Sequence, residues 1–98
     1  MPHFYLHVRS TDGLATDPEG ADFRDLEAVR KEARKGMRSL VADALFSGKE
    51  LLVRSVEITD DQGNALGQVT LAAAISGVIP VDDAFVHEVR EAQAQGAY

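Results

Sequence analysis

Residues 25–48, "DLEAVRKEARKGMRSLVADALFSG", decide how the rest of the chain must fold. At 100° per residue, Leu26, Val29, Ala33, Met37, Leu40, Val41 and Ala44 fall on one arc, the width expected of a helix lying on a sheet. Asp25 stands just before the first apolar position. There its carboxylate accepts bonds from the free amides of the first turn and complements the helix dipole, so Asp25 is the expected N-cap. Ser47 and Gly48 follow the last apolar positions, and a glycine past the end of a helix acts as a stop. A helix from Leu26 to about Phe46 is expected. Gly36 costs about 1 kcal/mol relative to alanine inside a helix. Its missing side chain would permit close approach to a strand, and it reads as a packing glycine.

The flanking segments change period from 3.6 to 2. Over residues 3–9, Phe4, Leu6 and Val8 share one strand face while His3, Tyr5, His7 and Arg9 share the other. Asp12 and Gly13 supply a turn, and "GLAT" returns as a short second strand to make a hairpin. After the helix, "LLVRSVEIT", the turn "DDQGN" and "ALGQVTL" read as two more antiparallel strands, with Val56 and Ile58 on one face. The order is strand, strand, helix, strand, strand. An α+β fold follows, with an antiparallel sheet of three or four strands and one long helix packed on one face. Residues 72–79 are small and apolar and read as a helical turn. Asp82 or Asp83 caps a short C-terminal helix whose Phe85, Val86, Val89 and Ala92 form a narrow stripe, and "AQAQGAY" is expected to fray. Residues 1–76 make a single domain and residues 77–98 a C-terminal helical extension.

Bulk properties set limits on function. The 98 residues suit one modest core. The absence of cysteine excludes a disulfide, a thiolate metal site and a thiol nucleophile. The start "MPHFYLHVRS" reads as neither a signal peptide nor a membrane span, so a cytoplasmic protein with no membrane partner is expected. A net charge of -6 disfavours wholesale binding to nucleic acid.

The acidic run that precedes the helix invites a metal or a proton-transfer reading. A calcium loop needs oxygens at positions one, three and five, glycine at six and glutamate at twelve. Registers beginning at Asp17 and at Asp60 both fail that test. "DPEG" matches a type I turn instead, in which Asp17 accepts local backbone bonds, Pro18 presets its dihedral, Glu19 is exposed and Gly20 closes the turn. Asp17 and Glu19 on an exposed turn stay ionised, which does not suit general acid-base work. His3 and His7 share a face, but four residues of extended chain separate them by roughly 13 Å, too far for one ion. The serines lack a nucleophile elbow and no phosphate-binding glycine loop is present. No metal, cofactor or catalytic residue is expected, and the chain does not read as an enzyme.

Two surfaces remain as candidates for interaction. Arg30, Lys31, Arg34, Lys35 and Arg38 occupy an arc of about 140° opposite much of the apolar stripe. The bland explanation is a solvated helix face; the sharper one is an acidic partner, or nucleic acid met through Arg30, Arg34, Lys35 and Arg38. Tyr5, His7 and Arg9 line the strand face away from the helix. That side must be wet, covered by the C-terminal helix, or paired with another subunit. The leading expectation is a protein-interaction module that forms a homodimer.

The motifs "FYLHVRS", "DPEG", "DLEAVRKEA" and "VEITDDQGNAL" together resemble a family of short uncharacterised alphaproteobacterial proteins, a domain of unknown function, over about residues 2–71. His7, Asp17, Glu19, Gly20 and the helix start match its pattern. Val29 replaces a more usual small residue, and the tail after residue 76 is longer than typical. The resemblance implies the fold and a bacterial cytosolic setting, and no activity or cofactor.

Overall fold

The computed structural model describes residues 1–96. Eight elements follow in order: β1 (His3–Ser10), β2 (Gly13–Ala15), β3 (Ala21–Asp22), α1 (Leu26–Ser47), β4 (Val53–Asp60), β5 (Ala65–Thr70), α2 (Leu71–Ile75) and α3 (Asp83–Ala94). The fold is α+β. All strand pairs are antiparallel, in the order β2-β1-β4-β5, and β3 joins β1 beside β2.

Register explains which side chains meet. Leu6 lies opposite Ile58 and Val8 opposite Val56, while Val56 in turn faces Val69 across the β4–β5 ladder. Phe4, Leu6, Val56, Ile58 and Val69 thus share the face on which α1 packs through Val29, Ala33 and Met37. Burying an aliphatic side chain of this size stabilises a fold by about 1.5–3 kcal/mol, so this apolar layer supplies most of the driving force. Ala74 of α2 closes one side of it, and Phe23 packs its ring edge-on to Phe4, 6.2 Å between centroids.

The ends of α1 follow from local chemistry. Asp25 is extended and its carboxylate accepts the Ala28 amide at 2.8 Å, satisfying one of the free donors of the first turn. Gly48 adopts φ 72°, and its N–H donates to the Ala44 carbonyl. A helix of 22 residues is about 33 Å long, longer than the part of the sheet it covers. Beyond Met37 none of its residues is buried, and the turns carrying Leu40, Leu45 and Phe46 overhang the core.

Three expectations need correction. Gly36 does not pack against a strand: it is exposed, and a Cβ built there would meet nothing within 4 Å. The periodicity placed it beside the apolar arc, but the helix is turned so that its side faces solvent. The edge beyond β1 holds β3 as well as β2, because the chain rejoins β1 after the "DPEG" loop. Finally, the C-terminal helix does not close the open sheet face. Asp82 caps α3 by accepting the Phe85 amide at 2.9 Å, yet none of its residues is buried and it does not pack closely on any strand. Its narrow stripe carries too little apolar surface to hold it there. The fraying expected of "AQAQGAY" falls on a segment whose last two residues lie outside the described ones.

Candidate functional site

The polar residues converge where the edge strand beyond β1 is interrupted. Val8 faces Ala15 in β2, whereas Phe4 faces Ala21 in β3. The stretch Tyr5–His7 therefore lies opposite Thr16–Gly20, and two extra residues must bulge out of the strand. Such a gap strands a backbone amide of β1, and an unpaired N–H away from water is costly. The Asp17 carboxylate fills the gap. Its Oδ2 accepts the Leu6 amide at 3.2 Å, and its Oδ1 accepts those of Gly20 at 3.0 Å and Glu19 at 3.3 Å. Burial pushes the Asp17 carboxyl up, but the bonds from these amides, that of Gly20 first, outweigh it and hold the group below its usual value.

His7 closes the bulge from the sheet face. The Asp17 N–H donates to His7 Nδ1 at 3.0 Å, and His7 Nε2 lies 3.0 Å from Thr59 Oγ1 on β4. Because the amide can only donate, Nδ1 must be bare; the neutral ring carries its proton on Nε2 and donates it to Thr59. His3 sits at the far end of the same row, with Nδ1 2.7 Å from Asp22 Oδ1 and Nε2 2.7 Å from the Glu19 carbonyl. Both neighbours are acceptors, so the imidazolium suits this place better than the neutral ring. The Asp22 bond, then the Glu19 carbonyl, raise the His3 pKa above its ordinary value.

Tyr5 stands between the two histidines, edge-on to His3 at 5.2 Å and stacked on His7 at 6.3 Å. Arg9 continues the row and pairs with Glu57 on β4; the bond raises the arginine pKa and lowers that of the carboxylate. Gly20, at φ 66°, lets the loop lie flat on this row. A Cβ there would come within 2.6 Å of the Phe4 carbonyl oxygen, 2.8 Å of His3 Nε2 and 2.9 Å of the Tyr5 ring. Pro18 and Glu19 form the exposed crest of the loop.

The basic row of α1 is placed differently from a simple solvated face. Arg30, Arg34 and Arg38 climb the side of the helix that looks toward β5 and α2. Arg30 lies over Gly67, its Nη2 occupying the space of the absent side chain, 2.7 Å from where a Cβ would stand. Its Nε is buried without a hydrogen-bond partner among the described residues. Arg34 bonds Glu27 at 3.1 Å, and Arg38 donates to the Ala74 carbonyl at 3.3 Å. Lys31 and Lys35 remain exposed.

Chemically, the bulge is a clasp. Its carboxylate, both imidazoles and the loop amides are already paired with one another, and the arrangement offers no free nucleophile or general base. Among the described residues no group of three or more potential ligands converges as a metal site would require. The residues picked from the sequence fall into two sets that do not meet: Tyr5, His7, Arg9 and Asp17 with Glu19 and Gly20 on one side, and Arg30, Arg34, Lys35 and Arg38 on the other. Sequence reasoning missed Asp22 and Thr59 as partners, and weighed His3 only as half of a metal pair with His7. Only the strand register, with His3 opposite Asp22 on β3 and Tyr5 opposite Thr59 on β4, brings them within reach.

An antiparallel sheet with an interrupted edge, crossed by one long helix, is the class of domain these features define. Residues 3–72 match DUF6894, a domain of unknown function, and the chain belongs to that family. The matched span runs from β1 into α2 and leaves α3 outside. No curated protein matches the chain, and neither does any solved structure. No helix among the described residues is long and apolar enough to cross a membrane.

Proposed function

We propose that the chain is a non-enzymatic protein-interaction module that self-associates as a homodimer in the bacterial cytoplasm. One observation carries this reading: the overhanging end of α1 and the turn after α2 leave Phe46 96%, Leu45 74% and Val78 65% exposed. Beside them, Val41, Ala42, Ile75 and Ile79 line a groove of about 180 Å³. Clustered apolar exposure of this kind on a small domain marks an interaction surface. The 12 residues of α3 add to the argument, since an isolated helix of that length is marginal in water and none of its stripe is buried among the described residues. A second copy presenting the same surface covers both apolar elements at once, with the two-fold self-complementarity usual in homodimers.

This contact differs from the two faces considered from the sequence. The row Tyr5, His7 and Arg9 is engaged by the bulge loop and by Glu57. The net charge of -6 weighs against a nucleic-acid regulator built on the helix face, and Arg38 is already drawn to the Ala74 carbonyl. Sedimentation equilibrium across a wide concentration range tests the proposal. A concentration-dependent dimer that Phe46→Asp converts to monomer is expected, and a wild-type chain that stays monomeric throughout overturns it.

A further inference from the structure

The sheet has two edges, and only one is obstructed. Outside β1 the strand is broken and Asp17 occupies the gap. At the other end, β5 has β4 as its sole strand partner among the described residues. Its six residues, Ala65–Thr70, include neither a charge nor a proline, the residue types that commonly blunt an edge. The unpaired N–H and C=O groups of such an edge are a template for an added strand. The small residues Ala65 and Gly67 leave a shallow hollow of about 260 Å³ over the β4–β5 ladder beside this edge, bordered by Glu57, Ile58, Thr59 and Gln68.

Charge decides what belongs there. The Arg30 guanidinium lies over Gly67 and makes no ion pair among the described residues. Arg34, one turn along the same side of α1, is held only by exposed Glu27. We propose that the free edge of β5 binds an extended acidic segment of a partner protein, whose backbone continues the sheet and whose carboxylates meet Arg30 and Arg34. Alternate side chains of an added strand point to the α1 side, so acidic residues at every second position fit. Arginine takes a carboxylate through two parallel N–H bonds, a geometry that rewards this pairing. Asp60 at the end of β4 and Asp61 in the turn that leads into β5 confine the acidic positions to the part beneath the arginines. A second copy's β5 fits this edge poorly, because two-fold pairing brings two arginine rows together across the axis. The surface is separate from the apolar end of α1 and does not depend on dimerisation there.

The test is an NMR titration of the full chain with a synthetic eight-residue peptide alternating valine and glutamate. A lysine-for-glutamate peptide and a backbone N-methylated peptide serve as probes of charge and of strand pairing. Shifts at the amides of residues 65–70 are expected, along with weaker binding in salt, no binding of either control peptide, and roughly tenfold weaker binding by Arg34→Glu. Arg30→Gln gives a second reading, and circular dichroism verifies that both variants fold. Equal binding of the lysine peptide, shifts centred on Phe46 and Val78, or no shifts at millimolar peptide overturns the proposal. So does protection of the β5 amides that grows with protein concentration in the absence of peptide, which would assign the edge to a second copy.

Discussion

The amide of Asp17 donates to Nδ1 of His7 at 3.0 Å, a bond that only an imidazole bare at that nitrogen can accept. The neutral ring must therefore be the Nε2–H tautomer, with its proton directed to Thr59. Long-range ¹H–¹⁵N correlation spectra above neutral pH should show His7 as that single tautomer. Thr59→Val should leave the tautomer in place, because the Asp17 amide alone suffices to exclude a proton from Nδ1. Removing the ring with His7→Ala leaves the amide without its acceptor and should lower stability by about 1–2 kcal/mol in urea denaturation.

Replacement of Asp17 strikes the bulge from the other side. Its carboxylate accepts three amides, one of them from the partly buried Leu6. Asp17→Ala should cost about 2–3 kcal/mol, and Asp17→Asn less, since one oxygen is retained. The pKa is lowered in the folded state, so this contribution is present above the unfolded carboxylate value of about 4 and is lost as pH falls through the lower folded value. Urea midpoints measured from pH 6 down to pH 2 should fall less steeply in Asp17→Asn than in the parent chain.

His3 carries the opposite sign. Its folded pKa is raised by Asp22 and the Glu19 carbonyl, so its stabilising effect is complete below the unfolded value of about 6.5 and disappears as pH rises through the higher folded value. Stability should decline on the alkaline side of neutrality, and His3→Gln should flatten that decline. A titration of the His3 ring followed by NMR, with a midpoint above that of a histidine in a model peptide, is the direct check.

Two glycines respond to alanine in opposite directions. At Gly20 the added methyl meets backbone at 2.6 Å and the residue is held at φ 66°, so Gly20→Ala should destabilise by at least about 2 kcal/mol. At Gly36 nothing stands within 4 Å and the residue is in mid-helix, so Gly36→Ala should stabilise by about 0.5–1 kcal/mol. Thermal denaturation of the two variants decides both.

Most of the scaffold was legible because local chemistry specifies it. Asp25 and Gly48 bound α1 through bonds made within one turn, and the alternation of Phe4, Leu6 and Val8 fixed which face of β1 turns to the helix. The hairpin turns were readable for the same reason. What escaped depended on neighbours distant in sequence. "DPEG" was recognisable as a turn, but its aspartate bonds a strand eleven positions earlier, and no local pattern announces that. A helical wheel located Arg30 at an angle without saying that Gly67 would leave room for its guanidinium. It likewise put Gly36 beside the apolar arc without revealing what lay opposite. The α3 stripe was visible, whereas its lack of a berth is a property of the whole fold.

The unequal treatment of the two sheet margins has a consequence for assembly. Indefinite stacking by main-chain pairing needs a donor and an acceptor rim on every unit, and here one rim is plugged by the two-residue detour around Asp17. Among the described residues the opposite margin offers only the three-residue β2 beside this detour, so a union through β5 is expected to end in a closed complex and not to propagate by main-chain pairing.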